Sequence, residues 1–350
     1  MKNKKIKKSR HIISNNNLFF KTKRKKPKRN CSDIFEYINI FEVIIKSLII
    51  IILLIPFIKF FTRRKKEKTI NENIPKIKVA LCTMGRNENL YLREFIDHYQ
   101  SLGVDTLFLY DDNIEEEQKF INIVTPKDKV VIEYTKDNNI KGQNQAYNHC
   151  YSKHKDEYDW FIMIDMDEYL VIKNNDTLKG YLTDQVFDKC DFLKLHWRIP
   201  YDNNLIHYEN KSLFERFTKP YYTSNHIKSI IRGHINQLEF WIHSPRKSPE
   251  RNISCDNIGR MINKTNMNFQ SVMHVNTDRA YFVHFFFKST EEYINKYKRG
   301  YKDWPHLKMK GMIENYFKYN NITIEKIELF EKELNITLDR FRRKIKKKKN

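Results

Sequence analysis

Between residues 76 and 197 short apolar runs alternate with amphipathic stretches, and that alternation narrows the possible folds more than any other feature. "KIKVALCTM" (76–84) alternates and then turns wholly apolar, which predicts a strand. "NLYLREFIDHYQSLG" sets Leu92, Phe95, Ile96, Tyr99 and Leu102 on one helical face, with Gly103 where a C-cap is wanted. "DTLFLYDDN" predicts a second strand, a short helix near 115–123 follows, and "KVVIEY" (129–134) predicts a third strand. The helix "QNQAYNHCYSKH" (143–154) then leads to "WFIMI" (160–164), and "CDFLKLHW" (190–197) adds a further strand. Strand and helix in turn predict an α/β, doubly wound, Rossmann-like sheet with helices on both faces. Such sheets bind ligands outside the carboxyl ends of their strands.

Two of the strands run into acids at that end. "FIMIDMDEYL" (161–170) passes from an apolar run straight into Asp165, Asp167 and Glu168, and the second strand ends in Asp111 and Asp112. On a strand, residues i and i+2 share a face, so Asp165 and Asp167 are expected to aim together while Met166 points away. Two carboxylates that close repel unless a cation sits between them. Mn2+ or Mg2+ suits such oxygen ligands and leaves positions for phosphate oxygens, where it would neutralise a diphosphate leaving group. A D-x-D triplet says little alone; here its strand and its neighbouring acid pair give it weight. The chain has eight glycines and no G-x-G-x-x-G, so no dinucleotide-phosphate loop is present. The residues after Asp167 also lack the EF-hand pattern.

The formal charge of +22 suggests nucleic acid until it is divided by segment. Residues 1–40 carry +11, residues 62–68 carry +4 and residues 340–350 carry +8, whereas residues 69–339 hold 37 basic and 39 acidic side chains. The basicity lies in tails, and the body shows no basic cluster interleaved with aromatics, so no nucleic-acid partner is expected. "FEVIIKSLIIIILLIPFIKFF" (41–61) is the most apolar stretch. As a helix its length of about 30 Å would cross a hydrocarbon core, with Lys46 and Lys59 near enough to the ends to reach headgroups. It is too far from the N-terminus for a cleavable signal peptide. The expected order is a basic tail 1–40, a single-pass transmembrane anchor 41–61, a stem 62–75, a globular domain 76–305 and a C-terminal helical segment 306–350 with a basic end. In that last segment Ile327, Phe330, Leu334, Leu338, Phe341 and Ile345 predict one helix over 324–346. Five scattered cysteines fit neither a zinc spacing nor a dense disulfide framework, and an odd number leaves at least one thiol unpaired. Seven N-x-[ST] sequons, at Asn30, Asn175, Asn210, Asn252, Asn263, Asn321 and Asn335, favour a lumenal body.

Five stretches, "RNENLYLREFIDHYQSLGVDTLFLYDDN", "QNQAYNHCYSKHKDEYDWFIMIDMDEYL", "FERF", "HIKSIIR" and "VHFFFKSTEEYINKYKRG", together carry a resemblance to glycosyltransferases of the GT-A fold. The resemblance is to the family 92 and family 2-like group, in the family's own order, and spans about residues 79–302. It implies a mixed GT-A sheet and a type II membrane enzyme of the Golgi or endoplasmic reticulum. The implied reaction uses Mn2+ or Mg2+ to move a hexose from a nucleotide sugar, a UDP-sugar above all, to a glycan or glycoprotein hydroxyl with inversion. By position, Arg86, Asn87 and Glu88 would line the nucleotide pocket, although Gly85 stands where the family has another residue. Asp111 or Asp112 would take the ribose or base, Gln143 and Asn148 would face the sugar nucleotide, and Lys228 and Arg232 would meet the diphosphate. Asp165 and Asp167 would hold the metal, with Asp167 the closer and Glu168 orienting the pair. His284 matches a late histidine that completes the metal shell, here between Val283 and Phe285 instead of Asn and Tyr. Glu215, and after it Asp202, would take the acceptor's proton. Two rivals stay open at this level: an inactive membrane-tethered scaffold, and a basic-tailed binder of membrane or nucleic acid.

Overall fold

The computed structural model describes Ile55 and residues 76–349, apart from 175, 219–220, 248–252, 263–274 and 301–308. Ile55 aside, the expected tail, anchor and stem lie outside the described residues, as do the sequons at Asn30, Asn175, Asn252 and Asn263. Among the described residues no helix is long and apolar enough to cross a membrane. Contacts group Met1–Asn73 as one unit and Ile74–Asn350 as another, and the second carries the sheet and the helices that cover it.

The first part of this second unit follows the alternation in the sequence: β1 (Val79–Gly85), α1 (Asn89–Leu102), β2 (Thr106–Asp111), β3 (Val130–Tyr134), α2 (Gln143–His154) and β4 (Trp160–Met163). After it come β5 (Glu168–Ile172), α3 (Leu178–Leu182), β6 (Phe192–Pro200), α4 (Leu213–Arg216) and β7 (Tyr221–Arg232). Four short strands, β8 (Glu239–Phe240), β9 (Pro245–Lys247), β10 (Ser254–Cys255) and β11 (Met261–Ile262), precede β12 (Ala280–His284). The chain closes with α5 (Thr290–Arg299), α6 (Met309–Tyr319), α7 (Ile324–Leu334) and α8 (Asp339–Lys349).

The main sheet runs β3-β2-β1-β4-β7-β6-β10-β11, and it curls where β12 joins both β5 and β6. β3, β2, β1 and β4 are parallel, while β7 is antiparallel to both β4 and β6. Strand alternation separates two cores. Val79, Leu81, Leu107, Leu109 and Ile162 pack with Leu92, Phe95, Ile96 and Tyr99 of α1. Ala80, Cys82, Phe108, Tyr110, Phe161 and Met163 pack with Ala146, Tyr147, Cys150 and Tyr151 of α2. Consecutive residues of one strand therefore face opposite helices, which is why these strands are apolar throughout instead of alternating with polar positions.

The structure departs from the sequence reading in several places. Residues 115–123 form two short 3-10 turns, Glu116–Gln118 and Phe120–Asn122, in place of a helix. The helix expected over 324–346 breaks at Asn335, whose φ of 50° and ψ of 53° are left-handed. Asparagine tolerates that conformation and caps helices through it, so the apolar spacing is carried across a corner. Ile327 and Phe330 on one side, and Leu338 and Phe341 on the other, still enter the α1-side core. The twelve-residue β7 lies beyond the alternating stretch of 76–197, where the sequence reading places no strand. Two disulfides also form, Cys82–Cys150 from β1 to α2 and Cys190–Cys255 from β6's approach to β10. Their partners stand 68 and 65 residues apart in sequence, out of reach of any spacing rule.

Candidate functional site

β4 ends at Met163, and the chain turns back into β5 at Glu168, whose N–H donates to the Asp165 carbonyl at 3.1 Å. Asp165 and Asp167 thus occupy a turn, not a strand, yet both line one cavity at the carboxyl edge of the sheet. Met166 does not turn away: it lines the same cavity and packs against the end of β1. Gly85 allows this, because a Cβ there would lie 2.1 Å from Met166 Sδ and 3.0 Å from Phe120 Cζ.

Each aspartate is met by a lysine from a distant element. Asp165 Oδ1 accepts from Lys228 Nζ of β7 at 2.7 Å, from the Tyr147 hydroxyl of α2 at 3.0 Å and from Gln143 Nε2. Asp167 Oδ2 accepts from Lys296 Nζ of α5 at 2.6 Å and lies 3.4 Å from His284 Nε2. Burial opposes ionisation of Asp167, but Lys296 and His284 outweigh it and hold the carboxyl well below the usual range. Lys228 overcomes burial at Asp165 in the same way, and both aspartates are anionic at neutral pH. Glu168 is different: burial dominates and pushes its carboxyl well above the usual range. Neither of its oxygens has a hydrogen-bond partner among the described residues, and neither has His284 Nδ1, 3.9 Å away.

A second tier of charge surrounds the cavity. Arg86 Nε donates to Asp112 Oδ2 at 2.9 Å, and the Thr135 hydroxyl donates to Asp112 Oδ1 at 2.7 Å. Arg299 Nη1 donates to Glu88 Oε1 at 2.7 Å and to the Arg86 carbonyl. Arg86, Lys296 and Arg299 line the cavity of about 150 Å3 beside the aspartates. Arg86 and Asp112 also border a larger one of about 640 Å3, walled by Ile114, Ile121, Tyr134 and Ile140. A pocket lined by three cations and four carboxylates (Glu88, Asp112, Asp165 and Asp167) thus adjoins a roomier, mainly polar pocket into which Ile114, Ile121, Tyr134 and Ile140 are set.

A sequence-family model for glycosyltransferase family 92 matches residues 76–335, well over half of the chain. The chain belongs to glycosyltransferase family 92. A family 92 protein of Oryza sativa subsp. japonica is 30% identical over 105 residues, covering 30% of this chain and 18% of that protein. One of Arabidopsis thaliana is 32% identical over 106 residues, covering 30% and 18%. The matched stretch is thus under a fifth of either relative's length. A solved structure, HddC from Yersinia pseudotuberculosis, overlaps 45% of this chain and 71% of its own at 10% identity and a TM-score of 0.26, a likeness too slight to carry weight.

In this family 92 chain the structure gathers Arg86, Glu88, Asp112, Gln143, Asp165 and Asp167 around one cavity, with His284 against Asp167. Asn87 is exposed in a left-handed conformation (φ 55°) and borders a third cavity of about 240 Å3. Other residues take different places. Lys228 is wholly buried, bonded to Asp165 and to the Ile242 carbonyl, so it fixes an aspartate instead of meeting diphosphate. Arg232 pairs in register with Trp160 at the start of β4, the far edge of the sheet, and donates to the Cys190 and Phe187 carbonyls. Asn148 clamps Phe240 through its N–H and C=O, each at 2.7 Å. Asp111 accepts from Asn113 and from Phe120 N–H, which shapes the loop after β2, and it lines the larger cavity beside Asp112. Neither base candidate joins the site: Asp202 is buried with Lys326 and Tyr316, and Glu215 caps its own helix at Ser212. Lys296 and Arg299 escaped the sequence reading. Lys296 and Arg299 stand i and i+3 on α5, a shared helix face legible in "KYKR" had a helix been placed there.

The group that a D-x-D implies can be tested against these side chains. Among the described residues no cluster of three or more His, Cys, Asp or Glu is set to hold a metal. A magnesium-type site, however, takes one or two carboxylates and completes its shell with water and substrate phosphate. Asp165 and Asp167 each give one oxygen to a lysine, and the other oxygen is left for such a cation.

Proposed function

We propose that this chain is a GT-A glycosyltransferase that moves a hexose from a nucleoside diphosphate sugar to a glycan or glycoprotein hydroxyl. The observation that carries this reading is the shared cavity edge: two anionic aspartates face Arg86, Lys296 and Arg299, beside a larger, mainly polar pocket that holds Tyr134 and three isoleucines. The larger pocket suits a nucleoside, with Tyr134 offering a ring face and Lys119 Nζ 5.4 Å above it. Arg86, Lys296 and Arg299 then receive the diphosphate, Arg in the bidentate manner that suits phosphate oxygens. Asp165 and Asp167 would hold Mn2+ or Mg2+, which when bound adds charge stabilisation at the leaving diphosphate. Tyr147 and Gln143 keep Asp165 oriented, and Lys228 keeps it ionised. Transfer with inversion requires a base outside this cluster, since the cations here serve the leaving group.

Lys228 and Lys296 already stand on the two carboxylates, and that favours a second reading in which protein cations replace the metal. A thermal-shift titration of the full chain with UDP, with Mn2+ and then with EDTA, separates the two. Ligand at 100 times its dissociation constant stabilises the fold by about 2.7 kcal/mol. A shift that requires both UDP and Mn2+ supports the metal; an equal shift in EDTA supports the lysines. No shift with any nucleoside diphosphate sinks both.

For the setting, we propose a lumenal body on a single-pass type II anchor of the Golgi or endoplasmic reticulum. The two disulfides suit an oxidising compartment. The described sequons, Asn210, Asn321 and Asn335, are all exposed, as glycosylation needs. Expression in a secretory host followed by amidase digestion tests this: a mass that does not fall would argue against it.

A further inference from the structure

The crevice has a second wall that donor binding leaves unused. β4 pairs only with Ser229–Arg232 of β7, so the earlier part of β7 runs on past the carboxyl end of β4. It does so paired to β6, Leu195 with Lys228, His196 with Ile227 and Arg198 with Thr223, with the register shifting between His196 and Arg198. Trp197 sits at that shift. His226 stands two residues before Lys228, hence on the same face of β7 as the lysine that holds Asp165.

The His226 ring lies flat on Trp197, with centroids 5.2 Å apart and planes 7° from parallel. His243 meets the same indole edge-on at 5.4 Å, its Nδ1 fixed against the Ile227 carbonyl at 3.1 Å. His284, the histidine beside Asp167, meets it at 4.4 Å. Trp197 is only 8% exposed, and its indole N–H has no hydrogen-bond partner among the described residues. That N–H is shut off from solvent, so Trp197 serves as the rigid backing of His226 and does not present a polar edge of its own. His226, which covers one indole face, is itself exposed.

Charge divides the two walls. The donor side is densely charged, with Arg86, Lys296 and Arg299 set among Glu88, Asp112, Asp165 and Asp167. On this side burial pushes His243 down to about 3 and lowers His226 as well, so both imidazoles are neutral at pH 7. With His226 Nδ1 held by Ser224 and His243 Nδ1 by the Ile227 carbonyl, the uncharged His226 face, backed by Trp197 and edged by the two Nε2 atoms, suits a neutral polyhydroxy ring: its C–H face covers the exposed imidazole and its hydroxyls meet the nitrogens.

We infer that His226, Trp197 and His243 form the acceptor subsite, and that the unit received there is a neutral saccharide ring. This rests on the donor reading above and names the acceptor class which that reading leaves open.

The test uses the full chain in detergent micelles, as wild type, His226→Ala and His226→Phe. The thermal shift with UDP is recorded first for each. Saturation-transfer NMR then probes methyl β-D-galactopyranoside, methyl β-D-glucopyranoside and methyl α-D-mannopyranoside, with UDP present. The expected result is saturation of ring C–H protons in at least one glycoside, lost in His226→Ala and kept in His226→Phe, with the UDP shift unchanged in both. Saturation that survives in His226→Ala, or none with any glycoside in a wild type that still shifts with UDP, overturns the acceptor subsite and leaves the donor reading standing. A hydroxyl-bearing peptide that saturates where no glycoside does also overturns it. A wild type without the UDP shift overturns the donor reading and this inference with it.

Discussion

Asp167 and Asp202 each sit with a lysine, the first with Lys296 at 2.6 Å in the crevice, the second with Lys326 among the last helices. Around Asp202 every polar group has been supplied by the protein. Oδ2 accepts from Lys326 and from the Tyr316 hydroxyl at 2.6 Å, Oδ1 accepts from Asn204 N–H at 2.9 Å, and Asp202 N–H donates to Asn320 at 2.8 Å. Asp167 has Lys296 and His284 on one oxygen, a cavity in front and beside it Glu168, whose Oε1 lies 3.8 Å from Lys228 Nζ. The two pairs share their chemistry and differ in what is left over. A buried charge whose partners are complete is a strut; one with spare coordination beside a cavity is built for a ligand.

The most damaging change under this contrast is on the strut. Asp202→Asn leaves Lys326 buried without its counter-charge and is expected to cost about 3–5 kcal/mol of stability. Chemical denaturation measures it, and an unchanged midpoint would break the comparison. What remains folded should bind UDP normally.

Asp167→Asn should do the reverse. Turnover is expected to fall at least about 100-fold, roughly 2.7 kcal/mol of transition-state stabilisation, while the denaturation midpoint falls less than in Asp202→Asn, because Lys296 keeps some access to water and Lys326 has none. Steady-state rates with a UDP-sugar decide it. Near-normal turnover would remove Asp167 from the chemistry and make both pairs struts.

A smaller effect sharpens the structural side through pH. Burial pushes His98 down to about 4 from 6.5, its Nε2 held at the Leu170 carbonyl. The unfolded chain gains that proton below pH 6.5 while the folded one stays neutral, so stability falls with pH between 6.5 and 4. The slope reaches about 1.4 kcal/mol per pH unit for this one group. Melting curves across that window should be flatter in His98→Gln, and identical slopes would place the acid sensitivity elsewhere. The smallest effect belongs to Glu215: exposed and occupied with Ser212, it should leave turnover unchanged as Glu215→Gln. Loss of kcat there would restore it as a base and overturn its placement as a cap.

The parallel half of the fold was legible because its signals are local. Leu92, Phe95, Ile96 and Tyr99 repeat with helical period, Gly103 closes α1 in a left-handed turn (φ 95°), and apolar runs mark β1, β2 and β4. Asp112, Asp165 and Asp167 could be picked out because they follow directly on β2 and β4, whereas Arg86, Glu88 and Gln143 came from the family resemblance. Legibility ends where partners are remote. Lys296 reaches Asp167 across 129 positions and Lys228 reaches Asp165 across 63. Arg232 shares a motif with Lys228, yet the antiparallel run of β7 carries it to the opposite edge of the sheet. Asn148 and Gln143 share one helix, but five positions along a 3.6-residue turn put them on different neighbours, Phe240 and Asp165.

The sequence by itself determined the alternating half, the acidic ends of β2 and β4 and the family to which the chain belongs, because each is written in consecutive residues. The tertiary structure alone decided which aspartates keep capacity for a ligand, which lysines stand on them and which cysteines pair. It also decided that His226, Trp197 and His284 meet beside the crevice. The physical reason is common to all of these. Burial and charge neutralisation depend on which strands lie side by side, and the antiparallel insertion of β7 between β4 and β6 is a long-range pairing that no local pattern encodes.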